Sequence, residues 1–173
     1  KLLGELWAKG PTPWVENEIQ SLYELAHENI VRVLYADRWE DGVGRSYPLI
    51  VMEYLDGRTV EETLRCERLS LRATLSILQQ VCRGVGAAHR KDIIHRDLKP
   101  ANLMLLGEPP DYQVKILDFG LSKRRAIGTD QPSGHGGGTP GYQSPEQAYG
   151  HVVDWRSDIY SIGCILHRIL VGE

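Results

Sequence analysis

Apolar positions recur at helical spacing in some stretches of this chain and run together in short blocks in others. Trp14 to Leu25 predicts a helix, with Ile19, Leu22 and Leu25 on one face. Ile30 to Ala36 and Tyr47 to Tyr54 predict two strands, and the turn Asp41-Gly42-Val43-Gly44 between them makes the pair antiparallel. Ser70 suits a helix N-cap, and Leu71, Leu75, Leu78, Val81, Val85 and Ala88 then form an apolar stripe. Gly84 and Gly86 interrupt that stripe at a cost of about 1 kcal/mol each. They mark either close packing or a weak helix end. Leu103–Leu106 and Val114–Leu117 flank a Gly-Glu-Pro-Pro-Asp run and predict a hairpin. Leu121 to Ser144 is rich in Gly, Ser, Thr and Pro, a long loop of the kind that is functional or disordered. A last helix is predicted from about Ser157 to Val171. A strand-rich part thus precedes a mainly helical one. The expected class is α+β in two lobes, joined near Glu53–Gly57.

Composition narrows the function classes. At 173 residues, 42% hydrophobic and 25% charged, the chain can build one real core. A net charge of −3 gives no support to a nucleic-acid or anionic-membrane partner. No apolar run reaches membrane-spanning length. Cys66, Cys82 and Cys164 lack metal spacing and read as buried small apolar residues in a reducing compartment. The expected location is cytoplasmic, with a membrane tether in segments outside the chain left open. The chain opens on Lys1 and closes on Gly172-Glu173 directly after an apolar run, so both ends read as cuts.

The chemistry concentrates in Ile94-His95-Arg96-Asp97-Leu98-Lys99-Pro100-Ala101-Asn102 and in Asp118-Phe119-Gly120. Asp97, Asn102 and Asp118 bring oxygen ligands and a carboxylate base, and Lys99 brings a cation. Hard cations such as Mg²⁺ take oxygen ligands. Acid, amide and ammonium together can hold an anionic phosphate chain and accept a hydroxyl proton. Taken singly, these are ordinary polar turn residues; their order and spacing argue otherwise.

These two blocks resemble the catalytic loop and the metal-binding signature of eukaryotic-type protein kinases. Ser144-Pro145-Glu146 is similar to that family's A-P-E triplet, with Ser for Ala, and Asp158–Gly163 resembles the start of its central helix. Lys99-Pro100 resembles the serine/threonine branch, and Gly138–Gln147 looks most like bacterial members. The resemblance implies a two-lobed kinase fold, with residues 1–55 the end of the small lobe and 56–173 the larger lobe through its central helix. It implies ATP and Mg²⁺ as cofactors and a protein substrate with Ser or Thr hydroxyls as partner.

Residue by residue, the resemblance assigns Asp97 to the hydroxyl proton, Lys99 to the γ-phosphate, and Asn102 and Asp118 to the metal. Glu18, nine positions before His27, matches the helix glutamate that pairs with a strand lysine, and Lys1 is the candidate lysine. Met52 matches the residue at the back of the adenine pocket, and Glu53, Tyr54 and Leu55 the hinge that reads the adenine edge. His95, Phe119, Leu22 and Val33 match an apolar spine, and Asp158 would tie down the catalytic loop. Thr139 is expected against Asp97 and Lys99, with Ser133 or Thr129 favoured as autophosphorylation sites. Many relatives carry a Thr where this chain has His135, a departure that bears on that last assignment.

Two other readings compete. A pseudokinase scaffold would usually lack the base, a metal ligand or the strand lysine, and this chain has candidates for all of them. A small-molecule phosphotransferase would not need the long loop before Ser144-Pro145-Glu146. Taken alone, the 173-residue chain is expected to be insoluble or molten and to bind Mg-ATP poorly, because Ile162, Ile165, Leu166, Ile169 and Leu170 would expose apolar surface.

Overall fold

A computed structural model describes residues 25–44, 46–119 and 139–172. The helix predicted from Trp14, the residues Lys1, Glu18 and Leu22, the acceptors Thr129 and Ser133, and His135 lie outside the described residues.

Two antiparallel strands come first, β1 (Val33–Glu40) and β2 (Ser46–Met52), with Trp39 opposite Tyr47 and Val33 opposite Met52. Both predicted strands exist, shifted by a few residues at their ends. A second sheet follows in the order β3-β4-β5, all antiparallel. Its β4 (Leu103–Leu106) and β5 (Gln113–Ile116) are the predicted hairpin. The strand β3 (Gly57–Thr59) and the helix α1 (Val60–Cys66) behind it were not expected. The two sheets are stitched where Val31 N–H donates to Ile116 O at 3.0 Å and Ile116 N–H donates to Asn29 O at 2.8 Å.

Helix α2 (Leu71–His89) carries the core, and Ser70 caps it by accepting from Ala73 N–H at 3.2 Å. Its buried face holds Ile77, Leu78, Val81, Val85 and Ala88. The predicted stripe is therefore partly wrong: Leu71 and Leu75 are exposed, because at about 100° per residue they lie well round the helix from Ile77 and Val81. The face packs on β5 and on α4 (Arg156–Val171), the predicted last helix. Between them sits α3 (Pro145–Ala148), a single capped turn.

Two further expectations are corrected. Cys66 and Cys82 are exposed and Cys164 is half-buried, so none of the three is a buried core residue. Ile165 and Ile169 of α4 are buried, at 0% and 7% exposure, in the same core as α2. Leu170 is exposed at 55%.

Asn29 and Gln80 form a polar clamp under the sheet. Asn29 Nδ2 donates to Gln80 Oε1 at 3.0 Å and to Val114 O at 3.1 Å. Gln80 Oε1 accepts from Val114 N–H at 2.9 Å, and its Nε2 donates to Tyr112 O at 2.8 Å. This ties α2, β5 and the segment entering β1 into one unit.

The two helix glycines now separate. A Cβ on Gly84 would meet Ile116 Cδ1 at 2.7 Å and Asn29 at 3.3 Å, so this glycine is there for close packing. A Cβ on Gly86 would meet nothing nearer than Arg90 at 3.7 Å. Gly84→Ala is accordingly expected to destabilise the fold by about 1–3 kcal/mol, as overpacking does. Gly86→Ala is expected to stabilise it by roughly 0.5–1 kcal/mol through helix propensity. Urea unfolding of both variants in the full-length protein checks the opposite signs.

Candidate active site

The loop between α2 and β4 is shaped by one buried carboxylate. Asp158, in the first turn of α4, is fully buried. Its Oδ2 accepts from His95 N–H at 2.9 Å and from His89 Nε2 at 2.7 Å, and its Oδ1 accepts from Arg96 N–H at 2.9 Å. A buried charge is costly unless its lone pairs are filled, and here three N–H groups fill them. The hydrogen bonds hold Arg96 in the left-handed region, φ 68°. Asp118 has φ 56°. Such conformations cost about 1–3 kcal/mol each for residues other than glycine and cluster at functional sites.

His95 joins this loop to the next. Its ring lies 4.7 Å from that of Phe119, and its Nε2 donates to Leu117 O at 2.8 Å. Its Nδ1 accepts from Asp97 N–H at 3.3 Å, so the ring is neutral with its proton on Nε2. Complete burial pushes the imidazole well below its ordinary range, although Asp158, Asp97 and Asp118 pull the other way. A second joint is Leu117 N–H donating to Asn102 O at 2.9 Å. The segments bearing Asp97 and Asp118 are thereby locked together.

Asp97, Lys99 and Thr139 form a tight cluster. Lys99 Nζ lies 2.8 Å from Asp97 Oδ2 and donates to Thr139 Oγ1 at 2.6 Å. Thr139 Oγ1 donates to Asp97 Oδ1 at 2.9 Å. Both carboxylate oxygens of Asp97 are thus engaged and its rotamer is fixed. Asn102, in the 3-10 turn Pro100–Asn102, is buried and donates from Nδ2 to Asp97 O at 2.8 Å. Its amide nitrogen is committed to the protein, leaving the oxygen as the atom suited to a hard cation. An amide oxygen and the Asp118 carboxylate form a donor set that fits Mg²⁺.

The remaining predicted positions divide. Met52 and Asp118 line one small, mostly apolar recess together with Leu25, Val33, Ile50 and Phe119. Leu55 is half-buried beyond the end of β2. Glu53 N–H donates to Arg32 O at 3.0 Å, while its carboxylate turns to Lys115 Nζ at 2.7 Å. Burial raises that carboxyl, but Lys115 and the Arg32 N–H outweigh it and hold it below the usual carboxylate range.

Sequence reasoning missed His89, Lys115 and Gln147. For His89, nothing in the local sequence reveals a partner 69 positions away. Lys115 is the one polar side chain in an apolar block, a weak signal. Gln147 stands three positions after Ser144, a capping-box spacing visible in the sequence.

A small antiparallel sheet joined to a helical core, with a carboxylate, a lysine and an asparagine on one clamped loop, is the architecture of a kinase catalytic core. The chain belongs to the protein kinase domain family, whose model matches residues 9–173. Lys1 lies before the matched residues. Among its relatives, it is 39% identical over 158 residues to serine/threonine-protein kinase PknB of Mycobacterium leprae, covering 90% of this chain and 25% of that protein. It is 38% identical over 159 residues to PknB of Mycolicibacterium smegmatis, with the same coverage. It is 38% identical over 162 residues to serine/threonine-protein kinase Pkn1 of Myxococcus xanthus, covering 90% of this chain and 22% of that protein. The chain therefore spans about a quarter of the length of these relatives. No helix among the described residues is long and apolar enough to cross a membrane.

The neutral, buried His95 makes stability depend on pH. The unfolded chain takes up a proton on this residue below its ordinary value of 6.5, and the folded state refuses it until lower pH. The contribution is complete above 6.5 and is lost as pH falls toward the depressed value. His95→Phe removes it, so the stability gap between wild type and variant should narrow by about 1 kcal/mol from pH 7.5 to 5.5. Urea unfolding at both pH values reads that gap.

Proposed function

We propose that this chain is the catalytic part of a serine/threonine protein kinase that transfers the γ-phosphoryl group of ATP to hydroxyls of protein substrates. The observation that carries this reading is the Asp97–Lys99–Thr139 cluster, held on a loop that Asp158 and Asn102 fix from below. Phosphoryl transfer asks little covalent chemistry of the protein; positioning and charge supply most of the effect.

In this reading Asp97 orients the attacking hydroxyl and accepts its proton, while Lys99 stands beside it as the cation for the γ-phosphate. Thr139 occupies the place between them and holds the pair at rest, so an incoming Ser or Thr side chain meets a preset geometry. Asn102 and Asp118 would hold Mg²⁺, which when bound offsets phosphate charge. The Met52 recess backs the adenine site, and the backbone of Glu53 and Leu55 would read the adenine edge. Lys1 and Glu18 would add the phosphate-pairing lysine and its partner. Residues 1–55 belong with the small lobe and 56–173 with the large one. A cytoplasmic location suits an ATP-dependent enzyme, and a protein with Ser or Thr hydroxyls is the partner.

Asp97→Asn is nearly isosteric and removes the proton acceptor. In the full-length protein it should lower kcat by roughly 10²- to 10⁴-fold with the fold retained. Radiolabelled phosphate transfer to a Ser/Thr peptide, with circular dichroism as the folding control, measures this. Activity within a few-fold of wild type would remove Asp97 from the role of base.

A further inference from the structure

Gln147 lies in the turn α3, outside the groups assigned to chemistry, yet its side chain reaches the catalytic loop. It is 4% exposed. Its Nε2 donates to the carbonyl oxygen of Arg96 at 2.7 Å. Its Oε1 accepts from Ser144 N–H at 3.1 Å and from Ser144 Oγ at 3.2 Å.

The carbonyl of Arg96 belongs to the peptide unit that joins Arg96 to Asp97. The N–H of that same unit donates to His95 Nδ1 at 3.3 Å. The peptide plane preceding Asp97 is therefore held at both edges, by Gln147 on the oxygen side and by His95 on the nitrogen side. Arg96, whose φ of 68° is unfavourable for a side-chain-bearing residue, is held at its own N–H by Asp158. Rotation of this plane would swing the Cα–Cβ direction of Asp97 and with it both carboxylate oxygens. Misplacement by about 1 Å can cost roughly 10²-fold in rate.

We propose that Gln147 is a positioning residue for phosphoryl transfer, acting through the Arg96–Asp97 peptide plane. The inference rests on the reading of Asp97 as base. It also explains why a carboxamide stands here. The position needs a donor toward Arg96 and an acceptor toward Ser144 on one short side chain, and glutamine supplies both. Because Ser144 ends the segment that begins at Thr139, one side chain couples the segment carrying Thr139 to the geometry of the base.

The test uses the full-length protein with Gln147→Glu and Gln147→Met, both close to glutamine in size. Glutamate keeps the acceptor toward Ser144 and, when ionised, has no proton for the Arg96 carbonyl. Its kcat should fall roughly 10- to 100-fold with KM for ATP within about twofold of wild type. As pH is lowered from 8 to 6, a protonated carboxyl can donate again, so the ratio of variant to wild-type kcat should rise. Methionine cannot donate at any pH, so its deficit should persist without that rise. Thermal melts confirm folding, and the methionine variant carries the test should the glutamate variant not fold. Wild-type kcat in either folded variant overturns the proposal. So does a glutamate deficit that matches methionine at every pH. An active wild type with unaffected variants refutes this inference alone, whereas a wild type without phosphotransfer refutes the kinase reading and this inference with it.

Discussion

The geometry of the whole site hangs on the carboxylate of Asp158. It is buried without solvent and would be prohibitively expensive there if its oxygens were unfilled. Three N–H donors fill them, two from the backbone of consecutive residues, His95 and Arg96, and one from the His89 ring. A carboxylate that accepts from two successive backbone N–H groups constrains the turn between them, and Arg96 takes a left-handed conformation under that constraint. Helix α4 thus reaches 62 positions back along the chain to shape the loop that presents Asp97. His89 closes the arrangement by tying the end of α2 to the same oxygen that holds His95.

From that anchor the other contacts follow in sequence. His95, once placed, packs its ring at a tilt against Phe119 and holds Leu117, so the turn carrying Asp118 is set by the loop carrying Asp97. Asn102 returns to the carbonyl of Asp97 and receives Leu117, which closes the loop on itself. Asn29 and Gln80 do the equivalent work on the far side of β5, where the chain enters the first sheet. Hydrogen bonds in these dry places are individually modest, about 1 kcal/mol net, yet costly to break one partner at a time. The site is therefore rigid because its polar groups are jointly satisfied.

Much of this was legible in the residue order. The blocks around Asp97 and Asp158 are short, and Asp97, Asn102 and Asp158 within them all hydrogen-bond across the site. Thr139 falls where the resemblance put it, against Asp97 and Lys99. Apolar runs located β4 and β5 because both are buried strands. The short elements β3 and α1 escaped because Gly57–Cys66 buries only Val60 and Thr63, too little for a periodic signal. A capping box was there to be read: Thr59 Oγ1 accepts from Glu62 N–H at 3.1 Å, and Glu62 accepts from Thr59 N–H at 2.8 Å. The stripe on α2 misled at its start because Leu71 and Leu75 are apolar yet exposed, while Ala73, Thr74, Ile77 and Gly84 join Leu78, Val81, Val85 and Ala88 on the buried face. Partners such as His89 with Asp158, or Glu53 with Lys115, join residues more than 60 positions apart and leave no local trace.

The most direct measurement is the kinetics and thermal stability of Asp158→Asn in the full-length protein. The change keeps shape and removes the charge. It also places an amide nitrogen where an oxygen accepts from backbone N–H, leaving buried donors facing each other. If Asp158 sets the catalytic loop, kcat should fall by at least roughly tenfold, with a loss of stability of about 1–3 kcal/mol from the unpaired donors. A folded Asp158→Asn protein with wild-type kcat and wild-type Tm would contradict the account, because the loop would then hold its shape without the interaction said to impose it.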